Sequence, residues 1–136
     1  MNRQTLMISE QPKIICKSFD APDQISELPN TKAEIIHFGD FTVIRMTFHP
    51  GMKYSRDVRP HVPASHEKAP SRPVYCVSGC IHFIQPDGST LELKKDGVYL
   101  VPPWENGFID SWVVGDEPCV LMSFITARID VTAQVN

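Results

Sequence analysis

The side chains best suited to chemistry gather in one short stretch, His61-Val62-Pro63-Ala64-Ser65-His66-Glu67, with Asp57 just before it and Arg72 just after. Imidazoles and carboxylates have two uses. Neutral histidine and ionised carboxylate can ligate a divalent ion such as Fe, Mn or Zn, which makes Asp57, His61, His66 and Glu67 a candidate metal set. The same groups can move a proton near neutral pH, with His66 or Glu67 as general acid or base. The spacing follows neither a helical nor a strand repeat, and a polar surface loop is the plain alternative. Arg72 differs in kind, because a guanidinium has five donors, no acceptor and a permanent charge, which suits a carboxylate, phosphate or enolate. An exposed loop arginine is the competing description.

These residues need elements to hold them. Twelve prolines and seven glycines cut the chain into short pieces, and no window carries a sustained apolar period of 3.6. Phe41 to Phe48 alternates, with Thr42, Ile44, Met46 and Phe48 on the face predicted to meet the core. Further strands are predicted over Glu34 to Phe38, Val74 to Val77, Ile81 to Gln85, Thr90 to Leu93, Val98 to Val101 and Cys119 to Ile125. They are separated by Gly39-Asp40, Ser78-Gly79, Pro86-Asp87-Gly88, Lys95-Asp96-Gly97 and Gly115-Asp116-Glu117-Pro118. Another strand is expected before Gly115. Met52 to Ser71 and Trp104 to Gly107 are expected to be loops. Many short strands with tight turns predict an all-β barrel or sandwich. It forms one domain over 1–136, with a core over about 34–125, an N-terminal arm over 1–33 and a C-terminal tail over 126–136.

Three segments then acquire a common meaning. Val74-Tyr75-Cys76-Val77-Ser78-Gly79 resembles the end of the first motif of the cupin superfamily, a strand closing on a glycine turn. Gly97-Val98-Tyr99-Leu100-Val101-Pro102-Pro103 is similar to the start of the second motif, and Trp112-Val113-Val114-Gly115-Asp116-Glu117-Pro118 to a tail found in small bacterial cupins. The resemblance spans roughly Phe41 to Phe124 and implies a single double-stranded β-helix, the jelly-roll barrel of that superfamily, enclosing one small-molecule pocket.

What the resemblance implies for the site is unusual. Cupin metal sites take two histidines in a His-x-His step, a glutamate, and a last histidine from the second motif. Counting back from Gly79 puts Arg72 at the glutamate, with His66 and Lys68, or Ser65 and Glu67, at the histidines. No histidine follows His82, and an ungapped count puts Phe108 at the final ligand. A metal-independent isomerase, lyase or cyclase acting on a small organic anion is therefore expected, with no cofactor. Arg72 would anchor the anion, His66 or Glu67 would move the proton, and Val74, Cys76, Trp104 and Phe108 would line the pocket. A metal-dependent oxygenase or lyase with atypical ligands is the alternative, and a non-catalytic binding module the third possibility.

Other side chains carry weaker signals. His37 and His49 fall at strand ends, His82 could face either side of its strand, and Glu105 and Asp110 are minor acid/base candidates. Cys76 reads as a wall residue rather than a nucleophile, for want of a matched base.

The chain of 136 residues has net charge −3, with basic residues scattered rather than in a stripe, which argues against a nucleic-acid partner. No apolar run approaches a membrane span, and no apolar segment of signal-peptide type opens the chain. Four cysteines without a CxxC pair or disulfide framework fit a reducing cytoplasm. Exposed strand edges and the N-terminal arm predict a homodimer.

Overall fold

A computed structural model describes residues 12–62, 70–102 and 108–127. His66, Glu67, Trp104 and Glu105 lie outside them. Among the described residues nine strands form two antiparallel sheets. In chain order they are β1 (Gln24–Leu28), β2 (Thr31–Phe38), β3 (Phe41–Phe48), β4 (Arg72–Ser78), β5 (Cys80–Ile84), β6 (Thr90–Lys94), β7 (Val98–Val101), β8 (Asp110–Val113) and β9 (Cys119–Ile125). The larger sheet runs β1-β2-β3-β9-β4-β7 and the smaller β6-β5-β8. The last strand thus lies between β3 and β4, which ties the two halves of the chain together.

Local sequence explains most turns. β1 and β2 join through Pro29-Asn30, where proline presets φ and Asn30 takes φ +55°. Gly39, at φ +60°, turns β2 into β3. Gly79, at φ +80°, turns β4 into β5 where the chain also presses on the β8–β9 connection. A Cβ there would overlap the Pro118 carbonyl and come within 2.6 Å of the Cys119 Cα. Only glycine fits.

Thr42, Ile44 and Phe48 are buried as the alternation predicts, and Met46 is partly buried between two apolar clusters. The main cluster lies between the sheets, with Phe48, Met52, Tyr54, Val74, Phe83 and Leu121 among its members. A smaller one joins Ile35, Ile44 and Ile125. β1 and the start of β2 fall within the stretch assigned to the arm. Periodicity hid β1 because its polar Ser26 is buried while Ile25 is half exposed. Before β1, the chain straps the outside of β2 and β3. Lys17 reaches Asp23 at 2.9 Å and the His37 carbonyl at 2.7 Å, and Phe19 lies 4.7 Å from the Arg45 guanidinium.

Met52 to Ser71, expected to be a loop, instead begins with structure. A single helical turn, α1 (Tyr54–Asp57), is followed by a 3-10 turn at Arg59–His61. Met52, Tyr54, Asp57 and Val58 are all buried. The turn is held from two sides. Asp110 on β8 accepts hydrogen bonds from the Ser55 backbone N–H at 2.9 Å and the Ser55 hydroxyl at 2.8 Å. Asp57 accepts from the Lys53 backbone N–H at 3.0 Å and from Asn30 at 3.2 Å.

Candidate functional site

β4 decides the orientation of the arginine. Along Arg72-Pro73-Val74-Tyr75-Cys76 burial alternates, with Arg72, Val74 and Cys76 inside and Pro73 exposed. Arg72 is only 7% exposed. Its solvated-loop alternative therefore fails. Val74 pairs with Tyr99 on β7 and with Ser123 on β9, so Tyr99 shares the same interior face.

From Tyr99 a chain of rings crosses the interior between the sheets. Tyr99 lies 5.2 Å from Phe83 on β5, Phe83 lies 5.1 Å from Phe108, and Phe108 meets Tyr54 on α1 edge-on at 4.7 Å. The contacts are tilted or edge-to-face, as ring quadrupoles favour. Arg72 has the two terminal phenols, Tyr54 and Tyr99, as its electrostatic neighbours. Burial pushes both phenols well above the ordinary tyrosine range, and the nearby guanidinium offsets this only in part. Both are therefore neutral O–H groups at physiological pH. Burial also lowers the pKa of Arg72, yet from a value so high that the charge persists.

A second arginine frames this end. Arg59 lies over the outer side of Tyr54 at 5.2 Å and donates to the carbonyls of Phe108 at 3.1 Å and Ile109 at 2.7 Å. It ties α1 to the segment entering β8 and so fixes Tyr54 and Phe108 relative to each other. Beyond Val74, Cys76 and Cys119 close the interior with no solvent exposure, and burial is the largest cause raising both thiols. Cys76 is a buried thiol held protonated by that burial.

The remaining candidates separate. Asp57, in the alternative metal set, is committed elsewhere: its carboxylate takes two contacts of 2.8 Å from Arg56 besides those from Lys53 and Asn30. These donors hold its carboxyl far below the ordinary range, the Arg56 bonds foremost. His61 is exposed on the 3-10 turn. His82 lies on the outer face of β5, stacked on Trp112 at 4.7 Å and 3.4 Å from Glu92. His37 is buried, with Nδ1 3.3 Å from Thr42 Oγ1. Asp110 is a fastener for α1. Its carboxyl is held below the ordinary range because the bonds to Ser55 and Ser111 together outweigh burial, the largest single influence.

Arg72 also donates to the Pro70 carbonyl at 3.4 Å, and no group of three or more metal-ligating side chains occurs among the described residues. Sequence reasoning missed Tyr54, Arg59, Phe83 and Tyr99. The signal for Tyr99 was present in Val98-Tyr99-Leu100-Val101, whose alternation puts Tyr99 and Val101 together. Tyr54 had none, because no periodicity marks a single helical turn.

No protein-family model matches the chain, and no curated protein matches it in sequence. Solved structures do match in shape. The Cnp3 cupin domain of Schizosaccharomyces pombe is 17% identical, covers 83% of this chain and 70% of its own, and superposes with a TM-score of 0.54. KdgF from Halomonas sp. is 17% identical over 77% of this chain and 89% of its own, at 0.53. The polyketide cyclase RemF from Streptomyces resistomycificus is 14% identical over 83% and 79%, at 0.57. The chain has the jelly-roll fold of the cupin superfamily. No helix among the described residues is long and apolar enough to cross a membrane.

Proposed function

We propose that this cupin-fold chain binds a small organic anion inside the barrel and transforms it by proton transfer, as an isomerase, lyase or cyclase that uses no metal. The observation that carries this is the buried Arg72 beside two phenols that burial keeps protonated. A guanidinium can grip a carboxylate through two parallel charge-assisted bonds. The same cation, with O–H donors beside it in a partly desolvated interior, stabilises an enolate or oxyanion as its charge develops. His66 or Glu67, a few residues before Arg72, is assigned the proton transfer. Phe83, Phe108 and Tyr99 offer apolar walls to a planar substrate. Fold similarity does not choose among cupin chemistries, although the neighbours include a polyketide cyclase and a protein described as a sugar phosphate isomerase.

The test is calorimetric titration with benzoate, salicylate, pyruvate and a hexose phosphate. Binding of at least one is expected, with Arg72→Met weakening it by about 2–5 kcal/mol, because the anion's charge is left buried and unpaired. Equal affinity in the variant would remove the anchor. Stoichiometric tightly bound metal, lost in His66→Ala, would favour the metal-dependent alternative.

A further inference from the structure

One inward position of the larger sheet is polar where its neighbours are not. A row of paired residues crosses the six strands as Gln24, Ile35, Ile44, Ser123, Val74 and Tyr99. Ile35, Ile44 and Val74 are buried aliphatics, and Ser123, between the last two, is 1% exposed. Burial along β9 alternates, so Ser123 points to the same interior as Leu121 and Ile125. Its Oγ is sealed from solvent and meets no hydrogen-bond partner among the described residues. Thr42 on β3 shows the ordinary arrangement, its buried hydroxyl donating to the Ala127 carbonyl at 2.8 Å.

An unpaired buried hydroxyl costs stability that a methyl group in the same place would not. The fold therefore gains nothing from serine over alanine here, and the reason for the oxygen lies in something it meets from outside the chain. Its position says what that is. Val74 stands between Ser123 and Tyr99 in the row and two residues after Arg72 on β4, so Ser123 is diagonal to the arginine on the same inner surface. Val74 and Phe83 share the apolar cluster between the sheets, which sets the rings of Phe83, Tyr99 and Phe108 against this surface. Thr31 has a hydroxyl in the same state as Ser123. It pairs with Phe48, itself paired with Cys119, at the other end of the strands from Arg72.

We propose that Ser123 is a specificity-determining contact for the substrate, its hydroxyl engaging a second oxygen of a planar acid whose carboxylate lies on Arg72. A serine hydroxyl both donates and accepts, so the second oxygen can belong to a hydroxyl or a keto group. Its offset from the carboxylate follows from strand geometry. Two residues along β4 and one strand across amount to about 8 Å between the Arg72 and Ser123 backbones. An oxygen ortho to the carboxylate stays at the arginine, whereas one on the far side of the ring, meta or para, extends toward the serine. The substrate class is therefore a hydroxy- or oxo-substituted aromatic or similarly planar acid. The assignment rests on the anion-binding reading of Arg72 and adds to it the group that selects among acids.

The experiment is calorimetric titration of the native chain, Arg72→Met and Ser123→Ala with benzoate, salicylate and the meta and para hydroxybenzoates, beside a thermal melt of each protein. The native chain should bind the meta or para isomer more tightly than benzoate. Ser123→Ala should keep the native affinity for benzoate. For the preferred isomer it should lose roughly 5- to 100-fold, the range expected when a buried hydrogen bond loses one partner. It should melt at or above the native temperature, since the substitution removes an unpaired group. A clearly lower melting temperature would show that the hydroxyl is paired within the fold and overturn the proposal. An isomer preference that survives in Ser123→Ala, or no preference in the native chain, would overturn it as well. Those results leave the arginine anchor standing so long as Arg72→Met weakens every acid. If none of the four acids binds, or Arg72→Met binds them as the native chain does, the anion-binding reading itself fails and the role of Ser123 falls with it.

Discussion

Asp57 offers a test of whether the α1 turn is a structural bracket for the site or part of a metal centre. Its side chain is only 5% exposed and accepts from Arg56 twice, from the Lys53 N–H and from Asn30. Arg56 is 59% exposed, so solvent screening leaves that pair about 0–1 kcal/mol. The other two are hydrogen bonds to a charged acceptor, about 1.5–3 kcal/mol each at full value. Lys53 and Asn30 are themselves exposed, so water recovers part of this when the carboxylate is removed. Asp57→Ala should therefore cost about 2–4 kcal/mol, lowering the urea midpoint by about 1–2 M for a domain of this size. Unfolding is followed by tryptophan fluorescence with a chelator present, so that metal loss cannot mimic the effect. The pH dependence has a definite sign. The folded carboxyl is depressed below its ordinary 3.8, so the unfolded state takes up its proton first as pH falls. The contribution is complete above the unfolded value and is lost as pH falls through the folded one. The gap between native and variant should narrow below about pH 4. A variant within about 0.5 kcal/mol of native at neutral pH, or a gap that widens on acidification, would refute the argument.

Gly79→Ala should destabilise by about 2–4 kcal/mol in the same assay, combining left-handed backbone strain with overlap on Pro118 and Cys119. Ile44→Ala should cost about 2–4 kcal/mol by opening a cavity between Ile35 and Ile125, and a loss under 1 kcal/mol would contradict the burial assigned to it. Thiol titration with an aromatic disulfide should modify exposed Cys16 rapidly. Cys76 and Cys119 should react only after unfolding, and their rapid modification in the native chain would show an interior open to solvent.

Strands whose side chains alternate cleanly were legible from residue order alone. Phe41–Phe48, Val98–Val101 and Cys119–Ile125 are visible because one face of each meets the core, so the period of two is written in residue type. Turn chemistry at Gly39, Gly79 and Gly97 gave their order, and the three segments flanking these turns gave the family likeness. The same alternation made the orientation of Arg72 conditional on that of Val74 and Cys76. Whether the arginine faced inward was decided by tertiary structure, because one charged residue at the start of a strand can extend into solvent at little cost. β1 needed the fold as well: its inward positions carry Gln24 and Ser26, whose burial depends on neighbours far along the chain. The ring chain is the fullest case. Tyr54, Phe83, Tyr99 and Phe108 come from four separate segments, and no spacing along the sequence relates them. They meet because β9 closes between β3 and β4 while Arg59 and Asp110 fasten α1 to the strand opposite. Long-range contacts of that kind leave no local pattern, so only the folded chain could assemble the site.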